Sequence, residues 1–280
     1  MEREKFEVFN TPTYIYVPYD SVEKLTLRKT GTVYINEYLG VMGASKKIYS
    51  SVSGRIMGTK KVNVNGSLVN ALVIENDYKD KYLKIKVGKE NFDNYKRKDA
   101  NEIFDLFNID GKFNGKKFLM VDLTIKNNNL ENKYLVNKYN YEILETIDAI
   151  LKIFSIDRAY IAVNNSTIEE LLGEYSGIYP NIKFVNSPIT NEYSVLYNGY
   201  DILKIYNALK FNRFYSTKYL TVINGKNVYV IKARLGVDIK EILLFLNINA
   251  NSIEALTYTN EKISNYDGVL SSNIKSIAIK

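Results

Sequence analysis

The chain has 280 residues, 46% of them hydrophobic and 25% charged, with 38 Lys and Arg against 31 Asp and Glu and a net charge of +7. That length calls for two domains or three small ones, and that much apolar content excludes a disordered chain. With no cysteine and no histidine, the sequence supplies no disulfide, thiolate nucleophile, cysteine-ligated iron–sulfur cluster or imidazole base.

The positive charge does not point to nucleic acid. Basic residues are scattered as Lys46-Lys47, Lys60-Lys61, Lys96-Arg97-Lys98 and Lys116-Lys117, without the dense stripe that tracks a phosphate backbone. Heavy use of Lys, Asn, Ile and Tyr, all with A/T-rich codons, accounts for the basicity. The densest apolar run, Ile242 to Leu246, is far shorter than the roughly 18 residues of a membrane span. The start, Met1-Glu2-Arg3-Glu4-Lys5, leads into no apolar signal core, so a cytoplasmic protein, or a piece cut from something larger, is expected.

From Thr13 to about Val87 the pattern is all β, with short runs at Tyr14–Val17, Thr32–Ile35, Val62–Val64, Val69–Ile74 and Tyr82–Val87. Asn65-Gly66 is a hairpin signal. Glycines at 31, 40, 43, 54, 58 and 66 mark tight corners. This segment, 13–87, reads as a small sandwich or barrel.

Residues 91–111 are polar and then briefly helical, with Ile103, Phe104, Leu106 and Phe107 on one side. From there to residue 210 strands and helices alternate. Phe118–Leu123, Ala159–Val163 and Ile182–Val185 read as strands; Glu142–Phe154, Thr167–Tyr175 and Asp201–Leu209 read as helices. Such alternation implies βαβ units and a parallel sheet over 91–210.

A third pattern fills 218–280. Tyr219–Ile223 and Asn227–Ile231 flank the turn Asn224-Gly225-Lys226, and a helix Ile239–Leu246 follows with Asp238 as its N-cap. A hairpin running directly into a helix opens a β-grasp module. The alternating run Ile274-Lys275-Ser276-Ile277-Ala278-Ile279 reads as a closing edge strand.

Three stretches together resemble the RnfC-like electron-transport subunits. They are Lys47–Ile56 with Leu72-Val73-Ile74-Glu75-Asn76-Asp77, similar to the family's barrel-sandwich (lipoyl-like) module; the αβ segment Phe118–Val185 with Asp201–Leu209; and Tyr219–Gly225 with Gly236 and Ile239–Leu243, similar to its soluble-ligand-binding (SLBB) β-grasp domain. The resemblance implies a barrel-sandwich, a Rossmann-like αβ domain and an SLBB-like β-grasp in that order. It also implies protein partners, subunits of a redox or membrane complex, with peripheral association at the inner membrane face.

In that family the αβ domain binds FMN and NADH through a glycine-rich loop before its first strand. Here the equivalent stretch, Ile109 to Lys117, keeps only Gly111 and Gly115, beside Lys112, Lys116 and Lys117. Gly111, Lys112, Gly115 and Lys116 are therefore the candidate phosphate-binding residues, against a plain charged loop before a strand. The family's cysteine signature and ferredoxin-like segment have no counterpart among these residues. The reading is of a degenerate, non-catalytic scaffold or docking subunit without a cofactor; the alternatives are an electron-transfer protein that still binds FMN or NADH, as the resemblance implies, and a soluble-ligand-binding module in the β-grasp segment. Phe113 is expected to pack inward and to leave no deep amide-lined cleft between residues 109 and 130. Glu75, Asn76 and Asp77 offer oxygen ligands but read as a strand-ending turn, so no metal is expected.

Overall fold

The computed structural model describes residues 3–19, 30–42, 46–83, 92–111, 113, 115–125 and 130–280. The expected strand Tyr82–Val87 lies outside the described residues from position 84 on, as do Gly43, Lys112 and Asn127 to Asn129. The chain forms two compact units, Met1–Lys84 with Ser216–Lys280, and Ile85–Tyr215. Both all-β and α/β modules are present, as the patterning requires.

The first unit begins with strands β1 (Arg3–Phe9), β2 (Tyr14–Tyr19), β3 (Gly31–Val33), β4 (Tyr38–Met42), β5 (Lys46–Tyr49), β6 (Gly54–Val64) and β7 (Ser67–Asn76). The Asn65-Gly66 hairpin joins β6 and β7, with both residues at positive φ as a two-residue turn demands. Strands β2, β7, β6 and β3 make an antiparallel sheet in that order, and β4 pairs with β5. Glu75 and Asn76 are still paired in β7, and the chain turns away from the strand at Asp77: Asn76 Oδ1 accepts from the Tyr78 amide at 3.0 Å, and Asp77 accepts from the Ser53 hydroxyl at 2.6 Å.

The second unit is α/β. A 3₁₀ turn (Phe92–Asn94) and helix α1 (Arg97–Leu106) lead to β8 (Phe118–Asp122), α2 (Glu131–Phe154), β9 (Arg158–Ala162), α3 (Ser166–Ser176), β10 (Ile182–Val185), β11 (Ser194–Asn198) and α4 (Gly199–Phe211). All four strands are parallel, in the order β10-β9-β8-β11. Leu119, Met120 and Val121 of β8 are all fully buried, the mark of a parallel strand covered on both faces. Helix α2 buries Leu135, Ile143, Ile147, Ile150, Leu151 and Phe154 along one stripe. It begins at Glu131, eleven residues before the expected Glu142, and is interrupted at Tyr139, whose φ and ψ are −133° and 31°.

The chain then returns to the first unit with β12 (Thr217–Asn224), β13 (Asn227–Arg234), α5 (Ile239–Phe245), β14 (Ile253–Thr257), β15 (Lys262–Ile263) and β16 (Ile274–Ile279). The six-stranded sheet runs β1-β13-β12-β16-β14-β15. One expectation is corrected here. Strand β16 is not an edge: it lies between β12, to which it is parallel, and β14, to which it is antiparallel. Its alternating pattern fitted an edge strand, but Ile274, Ser276 and Ile277 are buried. Strand β1, unforeseen, pairs in parallel with β13 from Arg3↔Asn227 to Phe9↔Ala233.

Segments 13–87 and 218–280 also share one core. Ile15, Leu72 and Ile74 pack in the same cluster as Leu220, Val222, Ile231, Ile242 and Ile277. Where they meet, the Tyr16 amide donates to Gly236 O at 2.9 Å, and a Cβ on Gly236 would stand 2.4 Å from Tyr16 O. Gly236 has φ of +86°, so close approach and backbone conformation both require glycine there.

Candidate functional site

Strand order in the α/β unit reverses between β8 and β11. In open parallel sheets a ligand sits at that reversal, beyond the carboxyl ends of the strands, with its phosphate against a helix N-terminus. The two helices that start there are α2 after β8 and α4 after β11.

Both starts carry their own acid. Asn198 caps α4 by accepting from the Asp201 amide at 2.9 Å, and Asp201 Oδ2 reaches back to the Asn198 amide at 3.4 Å, a reciprocal capping box. Glu131 is the buried first residue of α2. The buried Tyr200 phenol is pushed well above its ordinary value by burial, then by the charges of Asp201 and Glu131. Helix N-termini attract anions because their N–H groups are unsatisfied and their dipoles positive. Here the first turn of each helix carries an acidic residue.

The polar groups at the strand ends are consumed internally as well. Asp122 Oδ1 accepts from the Thr124 amide at 3.0 Å and from its hydroxyl at 2.5 Å. Asn132 donates to Thr124 O at 3.1 Å, and Asn164 bonds both the amide and the carbonyl of Ile125, at 2.7 and 2.9 Å. Between the strand ends, a Cβ on Gly199 would stand 2.9 Å from Leu123 Cδ2 and 3.3 Å from Leu135 Cδ2. Among the described residues Leu123, Asn132 and Leu135 therefore close on the backbone at Gly199.

The candidate phosphate residues separate by role. Gly111 is where the backbone passes a buried ring: a Cβ there would lie 2.6 Å from Phe104 Cδ2. Gly115 sits in a turn at φ of +72°. Lys112 lies outside the described residues. The Lys116 ammonium donates to Glu192 O at 2.6 Å. Phe113, 2% exposed, stacks on Phe154 with centroids 4.2 Å apart and meets Tyr197 edge-on at 5.9 Å. The loop is thus anchored by its aromatic residue in the core.

A cavity of about 410 Å³ nevertheless opens beside this loop, which the sequence reading does not foresee. Its walls among the described residues are Asn108, Ile109, Asp110 and Lys116 on the loop side, Ser194 to Tyr197 of strand β11, and Asp201 and Lys204 of α4. Tyr197, on β11, donates its hydroxyl to Asp110 O. Burial, then the charges of Asp110 and Asp201, push that phenol well above its ordinary value. Neither Gly111 nor Gly115 is among those walls, so side chains and a strand edge line this space.

In the first unit Lys218 of β12 is wholly buried, a placement its sequence context does not announce. Its ammonium donates to the Tyr258 hydroxyl at 2.8 Å and to Ser272 O at 3.2 Å, and lies 4.2 Å from the Tyr258 ring centroid. These contacts tie β12 to the segment that follows β14 and to the one that precedes β16, and satisfy a cation that burial otherwise disfavours.

No family model matches the chain, and no curated protein matches it. Among solved structures, a chain of NAD+-reducing [NiFe]-hydrogenase in the air-oxidised state is similar at a TM-score of 0.41 and 6% identity, over 59% of this chain and 40% of that one. A chain of the same enzyme in the H2-reduced state is similar at 0.45 and 7% identity, over 69% of this chain and 45% of that one. The match therefore spans less than half of either hydrogenase chain. Likeness at this level does not establish a shared fold, and the architecture stands on its own strands and helices. Among the described residues no helix is long and apolar enough to cross a membrane.

Proposed function

We propose that this chain is a docking subunit, RnfC-like in module order, whose α/β unit does not hold FMN or NADH. One observation carries the reading. The two helices that start at the strand reversal each carry an acid in their first turn, Glu131 in α2 and Asp201 in α4, and the charges of both raise the buried Tyr200 phenol. A phosphate placed there would meet two carboxylates where a binding site offers free N–H groups. The absence of cysteine and histidine from the sequence removes the thiolate and imidazole ligands of redox centres as well. What the unit keeps is a folded platform with an accessible strand edge.

The test is isolation of the tagged full chain at native expression level. A docking subunit co-purifies with a fixed partner in reproducible stoichiometry. A chain recovered alone under every growth condition would overturn the reading.

A further inference from the structure

Strand β11 ends its sheet, and its outer edge opens on the 410 Å³ cavity. The Phe118 amide donates to Tyr193 O, which sets the phase of the parallel ladder. Backbone groups of Tyr193, Val195 and Tyr197 face β8, and those of Ser194, Leu196 and Asn198 face away. Two of the outward amides are satisfied locally: Ser194 N–H by Asn191 O at 3.1 Å, and Asn198 N–H by Asp201 Oδ2 at 3.4 Å. Among the described residues nothing bonds the N–H and C=O of Leu196, and the residue is 50% exposed. An edge with an open donor and acceptor is a template for another strand.

The charges around that edge are not symmetrical. Lys116 stands at the Ser194 end, held by Glu192 O. At the other end Asp201 is paired with Lys204 at 3.5 Å, while Asp110 adds a further carboxylate beside Tyr197. The groove is therefore cationic at one end and net anionic at the other. We propose that it binds an extended peptide segment of a protein partner by strand addition to β11. The segment's main chain pairs with Leu196, an acidic residue faces Lys116, and a basic residue faces Asp110. This deepens the docking reading and rests on it.

The experiment pans the full chain against a display library of random ten-residue peptides, then titrates the enriched peptides by fluorescence polarisation. The expected winners alternate β-branched or aromatic with polar residues and carry an acid and a base at opposite ends. Leu196→Pro should keep the fold, because the lost N–H lies outside the ladder and proline is tolerated on an edge in that orientation. It should weaken binding about tenfold or more. Lys116→Glu should shift preference to peptides with a basic residue at that end, and bound peptide should slow hydrogen exchange at the Leu196 amide. Should Leu196→Pro fail to fold, the Lys116→Glu preference and the Leu196 exchange decide. No enriched family above a bait-free control would overturn the proposal. So would peptides that ignore Lys116→Glu and leave Leu196 exchange unchanged. A native partner whose capture survives Leu196→Pro would remove the groove and leave the docking reading standing; saturable FMN binding would remove the docking reading whatever the peptides do.

Discussion

Replacing Phe113 by alanine separates a core residue from a ring lying over a ligand cleft. Phe113 is 2% exposed and stacked at 4.2 Å on Phe154, with Phe104 at 6.2 Å and Tyr197 at 5.9 Å. Truncating a buried phenylalanine costs about 3–5 kcal/mol through lost transfer energy and the cavity left behind. The aromatic contacts account for about 0.5–1.5 kcal/mol beyond the area buried. Phe113→Ala should therefore lower the stability of the α/β unit by roughly 3–5 kcal/mol, and Phe113→Leu by well under half of that. Urea unfolding of the full chain, followed by far-ultraviolet circular dichroism, reads this directly, because α1 to α4 all belong to that unit. The chain has two units, so the transitions must be fitted separately. A loss below about 1 kcal/mol for Phe113→Ala, within the ordinary range for surface substitutions and small repacking, would refute the packing argument. The loop from Ile109 to Lys117 would then be free to open.

Further expectations follow from single contacts. Gly54→Ala places a Cβ 1.9 Å from the Glu75 carbonyl oxygen, which only backbone movement relieves; thermal melting should show the first unit destabilised by at least about 3 kcal/mol, and a neutral result would count against the β6–β7 geometry. Asn198→Ala removes the α4 capping box and should cost about 1 kcal/mol by denaturant midpoint. Tyr266 is pushed up to about 12 by burial while its hydroxyl donates to Val269 O at 2.6 Å. A phenol whose folded pKa is raised favours the folded state below its unfolded value near 10, and that contribution is lost as pH rises toward 12. Stability should therefore fall across that alkaline window, and Tyr266→Phe should flatten the slope.

What the sequence reveals and hides follows the range of the interactions involved. The β6–β7 hairpin, β8, the second half of α2 and the β12–β13 hairpin with α5 are set by neighbouring residues, so local patterning finds them. Strand β1 is different. It pairs with β13 over 220 residues away, and no local pattern announces a partner so distant. Likewise, Ile274 to Ile279 alternates like an edge strand but becomes central because β14 arrives on its second side. The shared core of segments 13–87 and 218–280 has the same origin, apolar faces whose partners lie across the chain.

The site divides in the same way. Gly111 and Gly115 are visible as glycines, but a ring beside one and a positive φ at the other are three-dimensional facts. Asn198 and Asp201 stand at capping-box spacing in the sequence, so the closed start of α4 was readable there. Glu131 is not, because the apolar spacing places the helix start at Glu142, past the true first turn of α2. The open edge of β11 was hidden because Ser194 to Asn198 is short and half-exposed, without the apolar density that marks β8.

The central claim, that the α/β unit does not bind a flavin or nicotinamide cofactor, is tested most directly by titrating the purified full chain into FMN and following flavin fluorescence, with NADH measured in parallel. Glu131 and Asp201 at the helix starts, and the close approach of Leu123 and Leu135 to Gly199, lead to unquenched FMN and unchanged NADH emission at micromolar chain. Saturable quenching that Asp201→Asn strengthens would contradict the account, since it would mean that phosphate does reach the start of α4.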